Sequence, residues 1–420
     1  MSIRHSQWVI ALLVLCAPAF SEASETAYVT NLDSGTISVV DVTTRAVTDT
    51  IVVSAPSETA VNDLAISPDG STLYTLSFDN DALYVIDAAT HAIVDTVAMG
   101  DKPQYLLMSP DGTKLYVSIN NEDRVAVVDT QTRSVLTSIP ADNAPGHLAF
   151  SPDGSRLYVA QSYRQTDAPS LRRVLVVDTS TDTVVSEIVM PSETRMQDIV
   201  VTPNGEKAYV GVQDSQVGVH VLDLITNTFV KKITNVGTPV GLALSPDGSQ
   251  LYVTSDTGTT IAVIDTATDV VTHYWDGFSR ASGLILSSDG ESLLVTNRSA
   301  DTLALVARAT GVIEATIPVG DSPAFVLVYT DPLTPEEQSD ALMEDVLNLD
   351  VSASVLASYT ANLSKVTSFI EEGKIVAAIN QLSAFIAKVE QDYVHGILSL
   401  AQRDALIESA QKLIEDLQNL

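Results

Sequence analysis

Six copies of a Ser-Pro-Asp-Gly-like tetrapeptide punctuate the chain, and reactive side chains collect four places before each copy. That position holds Asp63, Tyr105, His147, Asp198, Gly241 and Gly283, and Phe325 takes it in a last copy that has no turn. The residue before it reads Asn62, Gln104, Gly146, Gln197, Val240, Ser282 and Ala324, and the residue after it is Leu, Ile or Val every time. Polarity therefore varies at one narrow place. A histidine with a carboxylate in the next repeat and another two repeats back is the composition of a general base. One imidazole and two carboxylates can equally hold a divalent cation such as calcium. His147, with Asp63 and Asp198, is the catalytic candidate if the chain is an enzyme of lactonase-like or lyase-like type. The amides Asn62, Gln104 and Gln197, with Tyr105, suit the recognition of a polar ligand without chemistry. Arg195 and Arg280, like Lys102, precede these positions and extend the ligand-binding candidates.

Other signatures of catalysis are missing. The chain has no His-x-x-His, no Cys-x-x-Cys-His haem site and no Gly-x-Ser-x-Gly elbow. The aspartates that do recur have a plainer explanation. Asp41, Asp87, Asp129, Asp178, Asp223 and Asp265 each close an apolar run, and each has Thr three residues on. Asp and Thr at that spacing satisfy backbone N–H groups in a tight turn. A position repeated in six of the seven units, with Ala307 in the last, serves the scaffold, so function is expected where the repeats differ.

The elements that must carry these residues follow from the repeat. The tetrapeptides begin at Ser67, Ser109, Ser151, Thr202, Ser245 and Ser287, a period of 42 or 43 residues broken once by 51. Pro at the second place of a type I turn, Asp or Asn at the third and Gly at the fourth give each a hairpin. Short β-branched runs flank every turn, and turn signals recur every few residues, as in Leu115-Tyr116-Val117 and Val125 to Asp129. Each unit thus reads as four antiparallel strands, the period of a propeller blade. The first strand of the set after the turn occurs seven times, beginning with Ala27-Tyr28-Val29. The strand before the turn also occurs seven times if Pro323 to Val328 is included. The fold class expected is an all-β, seven-bladed β-propeller. Its ring closes when Pro323 to Val328 pairs beside Ala27 to Thr30, which removes the free sheet edge.

One unit is longer by an insertion, Gln161 to Arg173, which carries Tyr163 and Arg164 and falls on the same rim as the variable positions. A long basic loop on a rigid scaffold is a recognition candidate. After Asp331-Pro332 the pattern changes to helical spacing. Leu363, Val366, Phe369 and Ile370 form one stripe, and Ile375, Ile379, Leu382, Phe385, Ile386 and Val389 another. Leu406, Leu413, Ile414 and Leu417 form a third, and Gly373 stands as a helix stop. A small C-terminal helical bundle is expected over 332–420, after a propeller over 24–331.

Tyr28-Val29-Thr30-Asn31, with Tyr252-Val253-Thr254-Ser255 and Leu294-Val295-Thr296-Asn297, resembles the YVTN family of propeller repeats. The resemblance covers about residues 25 to 330. It implies an extracytoplasmic binding or surface protein and names no ligand. The stretch Gly373 to Val389, centred on Ala384-Phe385-Ile386, resembles the helical FIMAH-type domain of surface proteins, which implies a docking or accessory role.

Composition agrees with an envelope setting. Arg4 and His5 precede an apolar run from Trp8 to Leu15, and Ser21-Glu22-Ala23 fits a cleavage site, so residues 1–23 read as a signal peptide. The only cysteine, Cys16, lies inside it. A lipoprotein form would use Cys16, although Leu15 suits a lipobox poorly. Cleavage leaves no thiol for disulfides or metal, and no further membrane span. The chain has 22 Lys and Arg against 53 Asp and Glu, a net charge of −31. Such a field repels nucleic acid and anionic membranes. The sequence thus points to a secreted, periplasmic or cell-surface monomer that meets a protein, glycan or small ligand at the envelope.

Overall fold

The structure is a computed structural model and describes residues 25–53, 61–161, 172–191, 195–213, 217–331 and 334–418. Its contacts divide into two compact units, one spanning Ser24–Thr330 and the other holding Asp331–Leu420.

The first unit is a ring of seven four-stranded antiparallel sheets. Blade 1 is completed by the last strand of the unit, Pro323–Thr330, which pairs with Glu25–Asn31 at the start. The register sets Thr26 against Tyr329, Ala27 against Val328 and Tyr28 against Leu327, which is the closure expected from the repeat count. Blades 2 to 7 have innermost strands Leu64–Ile66, Pro103–Met108, Pro145–Phe150, Arg195–Val201, Pro239–Leu244 and Ala281–Leu286.

The middle strands of every blade read as unbroken apolar runs, because a blade is covered on both faces by its neighbours. Lys114–Ile119 is buried from Leu115 onward, and Arg124–Asp129 from Val125 to Val128. Each core cluster straddles two blades. Leu76, Leu83 and Val85 of blade 2 pack with Leu115, Val117 and Ala126 of blade 3. Fully burying one such side chain contributes about 1.5–3 kcal/mol. The outermost strands, such as Ser134–Pro140, face solvent along most of their length.

The tetrapeptide turns do two jobs. Within a turn, Asp69 Oδ1 accepts from Ser67 Oγ at 2.5 Å and from the Ser71 amide at 3.0 Å. Between turns, glycine meets proline. Gly112, at φ +70°, would place a Cβ 2.6 Å from Pro68 Cδ of the preceding blade. The later turns repeat this contact, with Gly154 on Pro110, Gly205 on Pro152, Gly248 on Pro203 and Gly290 on Pro246, while Gly70 meets Tyr329 of blade 1. The motif recurs because successive turns pack on each other around the ring.

Two further ties join blades on this side. Tyr116 OH donates to Asp182 at 2.6 Å, and Lys114 Nζ lies 2.8 Å from the same carboxylate. Asp269 repeats the arrangement with Tyr209 at 2.6 Å, Lys207 at 3.3 Å and Lys231 at 3.1 Å. The expected Asp–Thr turns are also present, as in Thr132 N to Asp129 Oδ1 at 2.6 Å.

The second unit is four helices: α1 (Pro335–Leu347), α2 (Ala353–Glu371), α3 (Ile375–Val394) and α4 (Leu400–Gln418). Thr334 and Glu337 form a capping box at the start of α1, with Pro335 in the first turn. Gly373, at φ +68°, ends α2. Leu363, Val366, Phe385, Val389, Leu406 and Leu413 meet in one core. Among the described residues no helix is long and apolar enough to cross a membrane.

Candidate functional site

The innermost strands bring the variable positions to one end of the central channel. A cavity of about 580 Å³ opens there, lined by Asp63, Tyr105, His147, Asp198, Gly241, Gly283 and Phe325, one from each blade. Asn62, Gln197, Val240, Ser282 and Ala324 join the lining, and Gln104 does not. The walls are unequal. Tyr105 and His147 lie with ring centroids 3.7 Å apart and planes tilted by 37°, and Phe325 lies 6.1 Å from each. Blades 6 and 7 offer only Gly241 and Gly283 in the same row. These glycines serve packing, since a Cβ on Gly241 would stand 2.6 Å from Ser282 O and one on Gly283 2.4 Å from Ala324 O.

The two aspartates are blade ties first. Asp63 accepts from the Leu64 amide at 2.8 Å and from the Leu106 amide of the next blade at 3.0 Å. Asp198 does the same with Ile199 at 2.8 Å and Leu242 at 2.8 Å. His147 Nδ1 sits 3.3 Å from Asp198 Oδ1, with both side chains largely buried. Asp63 is reached by solvent through the channel yet has protein on every other side. Burial raises its pKa from 3.8 to about 6, against the two amides and His147, which lower it. Burial likewise pushes the Tyr105 hydroxyl well above its ordinary value, and Asp63 and Asp198 add to the shift.

These bonds bear on the cation reading. Among the described residues no group of three or more His, Cys, Asp or Glu side chains is placed to hold a metal ion. Asp63, His147 and Asp198 face one cavity without converging on a point, because each carboxylate is held to its backbone amides.

The basic candidates separate. Arg280 is spent on Asp256, at 2.8 Å from its carboxylate. Lys102 lies over the Phe78 ring at 4.8 Å. Arg195 is exposed at the start of its strand and makes no ion pair among the described residues. Tyr163 and Arg164 lie outside the described residues. Two lining residues were not anticipated, Leu32 and Arg298. Both directly follow the Asn of a Tyr-Val-Thr-Asn-like strand, so aligning that position would have found them. Of the other histidines, His91 pairs with Asp49 at 2.5 Å in an exposed turn, and His220 is fully buried against Phe229. His273 is exposed beside Thr272, not packed.

Fold and site together define a seven-bladed β-propeller with a lopsided pocket at one mouth of its channel. No family model matches the chain, and no curated protein matches it. Solved structures share the fold. Hydrazine synthase from Kuenenia stuttgartiensis aligns at TM-score 0.61 and 21% identity, over 68% of this chain and 92% of that one. A provisionally assigned 6-phosphogluconolactonase from Bacteroides uniformis aligns at 0.58 and 18%, over 73% and 100%. The dihydro-heme d1 dehydrogenase NirN, in complex with DHE, aligns at 0.53 and 16%, over 73% and 75%. At these identities the likeness speaks for the fold alone.

Proposed function

We propose that the chain is an extracytoplasmic binding module of YVTN type that takes a small ligand, or one projecting group of a glycan or protein, into the channel mouth. The observation that carries this is the cavity of about 580 Å³ with an aromatic wall of Tyr105, His147 and Phe325. Its size falls within the usual range for ligand sites, and ring faces with a few convergent polar groups are how such sites gain affinity and orientation. The aspartates tie blades together and so keep the walls rigid. The N-terminal apolar segment supports an envelope location, and the four-helix unit is an accessory or docking domain in this reading. Binding to a panel of glycans and small organic acids, compared between wild type, Tyr105→Ala and Phe325→Ala, tests it. A loss of tenfold or more in both variants is expected, and unchanged affinity in both would overturn the proposal.

One observation favours a second reading. The His147–Asp198 contact at 3.3 Å is the base–carboxylate pair that a lactonase-like or lyase-like reaction needs. Turnover of a lactone and ester panel by wild type, abolished in His147→Ala, would establish it. No turnover by wild type would leave the binding module as the function.

A further inference from the structure

The chain carries 53 acidic residues, and eight of the eleven arginines that the structure describes pair with one. Arg45, Arg124, Arg133, Arg156, Arg173, Arg280, Arg308 and Arg403 each lie within 4.0 Å of a carboxylate. Arg172 is buried and engaged. Arg195 and Arg298 make no ion pair among the described residues; Arg298 lines the cavity, and Arg195 stands exposed at the start of the strand that carries Asp198. In so acidic a chain, two guanidinium groups without an ion pair among the described residues, one in the cavity and one on the strand of Asp198, call for an explanation.

Arg298 is the better placed. It lines the cavity and is half-buried. Its Nε donates to Ser322 Oγ at 3.0 Å, which fixes the plane of the fork. The two terminal nitrogens make no hydrogen bond among the described residues, and a fixed fork with both ends free matches a carboxylate. Blade 7, which carries Arg298, stands across the seven-membered ring from blades 3 and 4, which carry Tyr105 and His147. Phe325 is on blade 1, next to it, three residues beyond Ser322. Arg195 is on blade 5, so the two arginines flank the glycine-lined side. The negative charges of the cavity are already occupied, Asp63 by two amides and Asp198 by two amides and His147.

We infer that the ligand of the mouth is a small organic acid, its carboxylate held by Arg298 and approached through Arg195, with a ring lying on Tyr105, His147 and Phe325. This rests on the channel mouth being the binding site. A sugar acid and an aromatic acid share the required chemistry, a carboxylate on a ring that can stack.

Calorimetric titration separates the possibilities. The probes are D-glucuronate and benzoate, with D-glucose and benzamide as their uncharged counterparts. Wild type should bind one or both acids at least tenfold more tightly than the matched neutral compound. Arg298→Gln should abolish that preference, Arg298→Lys should restore part of it, and Arg195→Gln should weaken acid binding a few-fold. Glucuronate binding without benzoate assigns a sugar acid, and the reverse assigns an aromatic one. Equal binding of acids and neutral compounds, lost in Tyr105→Ala but not in Arg298→Gln, would overturn this inference and leave the site standing. Acid binding that survives both Tyr105→Ala and Arg298→Gln would overturn the two together, as would no binding by any of the four. Thermal unfolding of each variant, compared with wild type, guards against a simple loss of folding.

Discussion

The same residue type is used in opposite ways at the two ends of the channel. At the turn end, Asp69, Asp111, Asp153 and Asp247 sit in solvent, and hydroxyl and amide donors hold each below its ordinary pKa. At the mouth, Asp63 also accepts two amides, yet burial wins and its pKa rises to about 6. The turns repeat because each one packs on the next. The mouth varies because neighbouring blades meet there in different ways, through a carboxylate on the next blade's amide at Asp63 and Asp198 and through close backbone approach at Gly241 and Gly283. Repetition therefore marks what holds the ring together, and its failure marks where a ligand can be met.

The largest stability effect is expected at the ties between blades. Asp269 holds Lys207, Lys231 and the Tyr209 hydroxyl, and its side chain is only 7% exposed. Asp269→Ala leaves two cations and a phenol without their acceptor and should cost about 3 kcal/mol in chemical denaturation. A cost under about 0.5 kcal/mol would break the claim that these ties carry the turn end.

Next in size is the pH response of the mouth. Asp63 titrates higher in the folded protein than in the unfolded chain, at about 6 against 3.8. Stability from this group therefore falls as pH rises through that window. Asp63→Asn removes the slope, so the variant should gain about 2.7 kcal/mol on wild type between pH 3.5 and pH 7, whatever the offset from its altered hydrogen bonds. Asp247 sharpens the contrast, because its pKa is lowered to about 2 and its contribution has the opposite sign. Its stabilisation is present above 3.8 and is lost as pH falls toward about 2. Asp247→Asn should lose ground to wild type as pH rises across that window, and a variant curve parallel to wild type would refute the assignment. The fold tolerates the exchange, since Asn204 occupies the same place in its own turn and accepts from Thr202 at 2.7 Å.

The smallest effect is at the seam. Arg45 and Glu314 join the last blade to the first at 3.1 Å, but both are well exposed. Arg45→Ala should change stability by less than about 1 kcal/mol, because closure rests on the pairing of Pro323–Thr330 with Glu25–Asn31. Truncation before Pro323 should instead prevent a stable ring.

Much of this was legible in the chain. The blade count, the closing strand and the rim positions followed from the tetrapeptides, because turn chemistry is local and a ring must account for every strand. The double duty of Asp63 and Asp198 was not legible, because the amides they tie, Leu106 and Leu242, belong to the next blade and have no side-chain signature. Nor does residue type alone show that both carboxylates already accept backbone amides. Arg298 was missed because it belongs to the loop after the second strand, not to the row that was aligned. Helix α1 went unseen because its first turns, Pro335 to Asp340, are polar and only Leu342 and Val346 are buried apolar residues.

The most direct test of the mouth as the binding site is imidazole NMR of the histidines during titration with the glycan and organic-acid panel. The account predicts that a bound ligand moves the resonances of His147, whose ring centroid lies 3.7 Å from that of Tyr105, and leaves His91 and His273 where they are. Binding that shifts His91 or His273 while His147 stays still, or a panel that never moves His147, would contradict it.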